Sequence, residues 1–266
     1  MRLYVQSLAC LAIVSSLSLS GCATPATKEI AVDKHELKQE QQTHHDLAKQ
    51  AKKKAVPKRK HKEMSVYYQR LEKISPKLLE AAHKVCKDKK HEYKFRLAEQ
   101  DELNAWADGR SVNITPVMMD FLETDQELAL ILSHELAHNI MDHVRKKQQN
   151  SIIGTILDIA AATQGIDTFG TFGSIGAASY SQGFENEADY VGVYIMANAG
   201  FDVTDAHTIW RKMSVEIPGG IKKSFFSTHP SNPERFIRLK KAIEEIKAKQ
   251  LAGQPLLPNL TWSFGW

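Results

Sequence analysis

Beyond its first 20 residues the 266-residue chain contains no apolar run long enough to span a bilayer, so no spanning helix is expected there. Cysteine is scarce. Cys10, Cys22 and Cys86 are too few for a disulfide framework, so an apolar core has to hold the fold, and 42% hydrophobic residues supply one. No internal repeat is present, which excludes a helical-repeat array. A basic excess is also lacking in the part that can pack. The net charge of +4 traces to Lys28–Glu63, with 11 Lys/Arg against 6 Asp/Glu, whereas Met64–Trp266 carries −2. Lys28–Glu63 has almost no large apolar residues and reads as a disordered or partly helical tether. Its Lys52–Lys62 cluster suits anionic headgroups, peptidoglycan or an acidic partner.

What the chain does contain is organised around Asp125–Val144. Leu128, Ile131, Leu132 and Leu136 recur at helical spacing, so one face is set for burial. Within this run stands His134-Glu135-Leu136-Ala137-His138. Residues four apart share a helix face, so both imidazoles can point at one metal ion, and neutral imidazole nitrogen suits Zn²⁺. Glu135 lies beside that metal, placed to take a proton from an attacking water. A third histidine at metzincin spacing is absent, because Met141 and Val144 occupy the required places. His143 is off that spacing and reads as a solvent-facing residue at the helix end. A carboxylate from a later helix is the alternative. Glu185 and Asp189, four residues apart, share a face. One of them can reach the metal while the other accepts the outer N–H of a ligand histidine. Glu187 is two residues from either and points elsewhere.

The pairing of HExxH with Glu185-Asn186-Glu187-Ala188-Asp189 resembles the gluzincin metallopeptidases that include the CaaX prenyl proteases and the HtpX heat-shock protease. The similarity runs over roughly Met64–Lys249. It implies one Zn²⁺ per chain held by His134, His138 and Glu185, with Glu135 as general base and Asp189 as the partner of a ligand histidine. Ser227-Thr228-His229-Pro230 through Arg235 is similar to the family's T-H-P…R segment. That likeness gives His229 and Arg235 candidate catalytic roles. Either would stabilise the transition state, or His229 would fill the fourth position on the metal as a plug. The fold implied is α+β, mainly helical and zincin-like, with a small β-hairpin edge beside the HExxH helix.

Four regions are expected. Residues 1–21 have a basic Arg2 and an apolar Leu3–Leu19 run, as in a signal peptide. Leu19-Ser20-Gly21-Cys22 resembles the bacterial lipobox, which implies cleavage before Cys22 and lipidation of that residue; Ala23 fits outer-membrane retention. Residues 22–63 form the tether, 64–249 the metallopeptidase domain, and 250–266 a tail bearing Trp262, Phe264 and Trp266. Cys86, the remaining thiol, is expected to be buried. Met64–Lys90 reads as a helix, and Tyr93–Ala98, Leu103–Ala107 and Arg110–Ile114 as strands, with Asp108-Gly109 as a hairpin turn. Trp106 is read as core. Ile152–Ala162 reads as a short buried helix, followed by a glycine-rich stretch to Ser181 that is either a lid or a packed hairpin. The expected function is zinc-dependent hydrolysis of unfolded or misfolded envelope polypeptides by an outer-membrane lipoprotein facing the periplasm. The membrane partner is reached through Cys22, an envelope protein is a further candidate partner, and export removes the chain from nucleic acid. The rival is a plugged, chaperone-like assembly factor.

Overall fold

The structure, a computed structural model, describes residues 30–51, 63–86, 92–171, 173, 180–215, 225, 229 and 233–259. Cys22 with the N-terminal segment, the Lys52–Lys62 cluster and the three tail aromatics lie outside the described residues. In chain order the elements are α1 (Lys34–Ala51), α2 (Met64–Val85), β1 (Lys94–Leu97), β2 (Ala105–Ala107), β3 (Ser111–Ile114) and α3 (Pro116–Phe121). There follow α4 (Asp125–Ile140), α5 (His143–Thr163), α6 (Gln182–Asn198), a 3-10 turn (Ala206–Thr208), α7 (Ile209–Val215) and α8 (Pro233–Leu251). The fold is mainly helical α+β.

The centre is α4 packed against α6, with α2 and α8 on the outer faces of α6. Thr124 and Glu127 form a reciprocal capping box that fixes where α4 begins. From Leu128 to Ile140 every residue of α4 is buried, so this helix is enclosed rather than one-sided. Its contact with α6 is unusually close. A Cβ at Gly192 would stand 3.0 Å from the His134 backbone nitrogen and 3.2 Å from the Ser133 carbonyl carbon. Glycine is therefore what lets the two metal-motif helices approach one another.

The sheet has the order β1-β3-β2, with β1 parallel and β2 antiparallel to β3. Asp108 and Gly109 (φ +91°) make the β2–β3 turn, as the Asp-Gly pair predicts. Asn139 of α4 locks that turn: its Oδ1 accepts from Gly109 N–H at 2.7 Å and its Nδ2 donates to Ser111 O at 2.9 Å. The clamp lays β2, an edge strand, beside the HExxH helix. Trp106 of β2 is half-buried rather than core, because β2 has a neighbour on only one side among the described residues. Cys86 is buried, as expected.

Two expectations change. Lys34–Ala51 is not a free spacer. It is helical and docks on α7 and α8, with Glu40 buried in a bidentate pair with Arg211 and Lys241 bridging Glu36 at 3.0 Å. Composition missed this because charge pairs, together with the His44 ring against Phe236, make contacts that a count of large apolar residues does not register. Ile152–Ala162 is not buried either. It belongs to the longer α5, and Ile152, Ile153, Ile156, Leu157 and Ile159 are exposed. The returning segment folds back along α5, where Asp158 accepts from the Thr168 hydroxyl and from Gly173 N–H. The described residues between Ile152 and Gly173 thus form a hairpin, whereas Tyr180 packs on His138 and Ser181 caps α6.

Candidate metal centre

His134 and His138 sit one turn apart on α4, fully buried, with their Nε2 atoms 3.1 Å apart. Glu185, in the first turn of α6, places Oε1 3.3 Å from His138 Nε2. His229 arrives from a different part of the chain, with Nδ1 3.0 Å from the same Glu185 oxygen and 3.3 Å from His134 Nε2. One ligand atom from each of these four buried residues lies within 4.8 Å of the other three. With metal–nitrogen bonds of 2.0–2.1 Å, the edge of a ligand tetrahedron is roughly 3.3 Å. The observed separations match that edge, and three imidazoles with one carboxylate are a donor set suited to a divalent metal. The residues present fit the group.

The outer contacts fix the protonation pattern. For His134 and His138 to offer Nε2 lone pairs, their protons must reside on Nδ1. His134 Nδ1 lies 2.9 Å from Asp189 Oδ1, so the carboxylate stands beside that proton as its ion-pair partner. His138 Nδ1 lies 2.9 Å from Nδ1 of His143, whose Nε2 is 2.8 Å from Glu187 Oε2. A single assignment satisfies the chain: His138 donates to His143, and His143 donates to Glu187. This corrects the sequence reading twice, since His143 is fully buried and Glu187 is turned into the site, not away from it. Asp142 adopts a left-handed conformation (φ 62°) between the two helices, and the first residue of α5 meets His138 in the last turns of α4. His143 also stacks on Phe184, with centroids 4.4 Å apart, and Tyr180 stacks on His138 at 4.0 Å. A helix-end histidine followed by two lysines looks solvated in sequence, and only the packing of α6 reveals otherwise.

Arg235, buried at the start of α8, forms an ion pair with Glu185, its Nη1 2.7 Å from Oε2, and donates from Nε and Nη2 to Asp189 at 2.8 Å each. Its guanidinium lies 3.8 Å from the ring centroid of Trp210, which also makes a T-shaped contact with His134. The oxyanion role expected for Arg235 is therefore reassigned. The guanidinium is engaged by two carboxylates and holds them in place. His229 Nδ1 lies among the candidate ligand atoms, 3.3 Å from His134 Nε2 and 3.0 Å from Glu185 Oε1.

The electrostatics follow from burial and pairing. Burial alone would raise the Glu185 carboxyl, but the charge of Arg235 and the histidine contacts hold it well below the usual carboxylate range. Burial opposes a proton on His134, yet the hydrogen bonds and charges of Asp189 and Glu185 outweigh it and push its pKa up to about 9. Burial keeps His138 well below the ordinary histidine value and takes His143 down to about 3. Glu135 faces the cluster from α4, fully buried, with Oε1 3.4 Å from His229 Nε2, and desolvation raises its pKa.

A family model described as peptidase family M48 matches residues 68–243, which take in every member of the cluster. Mitochondrial metalloendopeptidase OMA1 of Schizosaccharomyces pombe is 30% identical over 151 residues, 53% of this chain and 44% of that protein. Metalloprotease LoiP of Escherichia coli is 27% identical over 155 residues, covering 54% and 59% of the two chains. The beta-barrel assembly-enhancing protease of Yersinia pestis is 28% identical over 126 residues, covering 41% and 26%. The matched part of this chain thus spans from about a quarter to three-fifths of these relatives' length. With the family model running over well more than half of its residues, this chain belongs to peptidase family M48.

Proposed function

We propose that the chain is a zinc-dependent endopeptidase of the bacterial cell envelope, held at the outer membrane by lipid on Cys22 and acting on unfolded or misfolded envelope polypeptides. The observation that carries this reading is the buried four-donor cluster with Glu135 beside it and the β2 edge alongside. Relatives whose names include a metalloprotease and a beta-barrel assembly-enhancing protease support the envelope setting. Zinc bound by His134, His138 and Glu185 would supply a Lewis acid that polarises the scissile carbonyl and brings the pKa of an attacking water towards about 7. Glu135 takes that water's proton and delivers it to the leaving amine; its raised pKa suits both halves of the transfer. Asp189, Arg235, His143 and Glu187 keep the ligands aligned while charge moves. An extended substrate adds to β2 through backbone hydrogen bonds, which favours unfolded chains of many sequences over folded ones.

The position of His229 favours a second reading, in which the resting site is latent. While His229 Nδ1 stands among the ligand atoms it occupies the place an attacking water needs, so a substrate or partner must displace it before cutting.

The test is cleavage of fluorescent casein by the purified full chain in detergent, with zinc counted, beside Glu135→Gln and His229→Ala. Zinc in all three, cutting by the wild type and none by Glu135→Gln would support the protease. Faster cutting by His229→Ala would support latency. Folded wild-type protein that retains no zinc would refute the proposal.

A further inference from the structure

The apolar face of α5 is left outward in an unusual way. Along α5 the polar side chains Ser151, Thr155 and Asp158 turn towards the returning segment: Asp158 binds Thr168 and Gly173, and Gly173 sits so close that a Cβ would stand 2.8 Å from the Thr155 hydroxyl. The opposite face carries Ile152 (60% exposed), Ile153, Ile156 (59%), Leu157 and Ile159 (60%). At the end of the hairpin Ile166 and Phe169 project as well, Phe169 with 88% of its surface exposed. Between Gln148 and Thr171 the only charged residues are Asp158 and Asp167. A water-facing helix normally has the reverse arrangement, polar out and apolar in.

The same face changes character along its length. Arg145 and Lys146 stand two helical turns before Ile152 and Ile153 and so share their side of α5. A basic collar followed by a charge-free aliphatic stripe with an aromatic tip complements a bilayer, with cations at anionic headgroups and the apolar side chains below them. Length agrees with this. Ile152–Thr163 measures roughly 18 Å as a helix, short of the ~30 Å hydrocarbon core but enough for one leaflet. No helix among the described residues is long and apolar enough to cross a membrane.

We infer that the α5 hairpin is a monotopic membrane-insertion element whose occupant is the acyl region of an anionic lipid leaflet. It is independent of Cys22 and of the proposed protease activity. Because α5 begins at His143, which contacts His138, insertion of the stripe would fix the height of the metal centre above the headgroups, about 14 Å for the nine residues 143–151 if α5 stands upright.

The test uses the full chain reconstituted in vesicles of phosphatidylethanolamine and phosphatidylglycerol. A bimane label is placed on Ile156→Cys, on Phe169→Cys and, as an exposed control on α2, on Glu72→Cys. Cys86 is buried, and the wild type gives the labelling background. Acyl-brominated lipids are expected to remove more than about half of the emission at 156 and 169 while aqueous iodide leaves it intact, and the control should show the reverse. Variants Ile153→Asp and Ile156→Asp should abolish the acyl quenching of the label at 169 yet cleave soluble casein at the wild-type rate. Iodide reaching 156 and 169 as freely as the control would overturn the inference in favour of a bare solvent face. Shielding from both quenchers would overturn it in favour of a second copy or another protein covering the stripe.

Discussion

Replacing His143 by phenylalanine separates its two tasks, because the ring can keep its stack on Phe184 while losing both hydrogen bonds. The first loss is on the metal side. His138 Nδ1 no longer has its acceptor, so the tautomer that offers Nε2 to the metal is unsupported. Removing such an outer partner typically lowers metal affinity 10- to 100-fold, about 1.4–2.7 kcal/mol. The second loss is on the fold side. Glu187 keeps a carboxylate buried to 2% exposure without its donor, a cost on the order of 3 kcal/mol in the metal-free protein. The double variant His143→Phe/Glu187→Leu removes both partners, so most of the stability should return while metal affinity stays low. Chelator competition reads the affinity, and thermal unfolding of the metal-free chain reads the stability. Metal affinity within about twofold of wild type in both variants would refute the relay from Glu187 through His143 to His138.

Three further outcomes are expected. Gly192→Ala pushes a methyl into the His134 backbone, where α4 has no room to yield, and should cost about 1–3 kcal/mol in denaturant unfolding together with weakened metal retention; wild-type values for both would show that the α4–α6 contact is slack. Arg235→Met leaves Glu185 and Asp189 buried without their cation, so the metal-free chain should lose about 3–5 kcal/mol and the metal-loaded chain less; equal losses would show that Arg235 does not serve the ligand carboxylates. The metal-free chain should also lose stability in mild acid. His143 falls from 6.5 to about 3 on folding, so its contribution is full above pH 6.5 and drains as pH falls towards 3, at up to about 1.4 kcal/mol per unit. His134, raised to about 9, works oppositely and is at full strength below 6.5, so the acid slope belongs to His143 and His138. Thermal melts from pH 7 to 5 should show a shallower slope in His143→Phe, and an unchanged slope would count against a neutral buried His143.

Local chemistry in the sequence determined the metal helix by itself. The capping box at Thr124 and Glu127, the apolar run through Leu136 and the four-residue spacing of His134 and His138 are all short-range, and helix geometry alone places both imidazoles on one face. The same spacing put Glu185 and Asp189 on one side of α6, and Asp-Gly fixed the hairpin. Tertiary structure decided what short range cannot reach. His229 stands 95 residues from His134 and 44 from Glu185, so no periodicity brings them together. Spacing read His143 as a solvent-facing residue at the helix end and Glu187 as pointing away from the site. A left-handed Asp142 and the close α4–α6 contact permitted by Gly192 bury them instead, and there each satisfies the other. Periodicity likewise marks an apolar face on α5 and a charged one on α1, but it cannot say whether either is covered. That depends on which element the chain brings alongside, and here the charged helix found a partner within the domain while the apolar stripe stayed exposed.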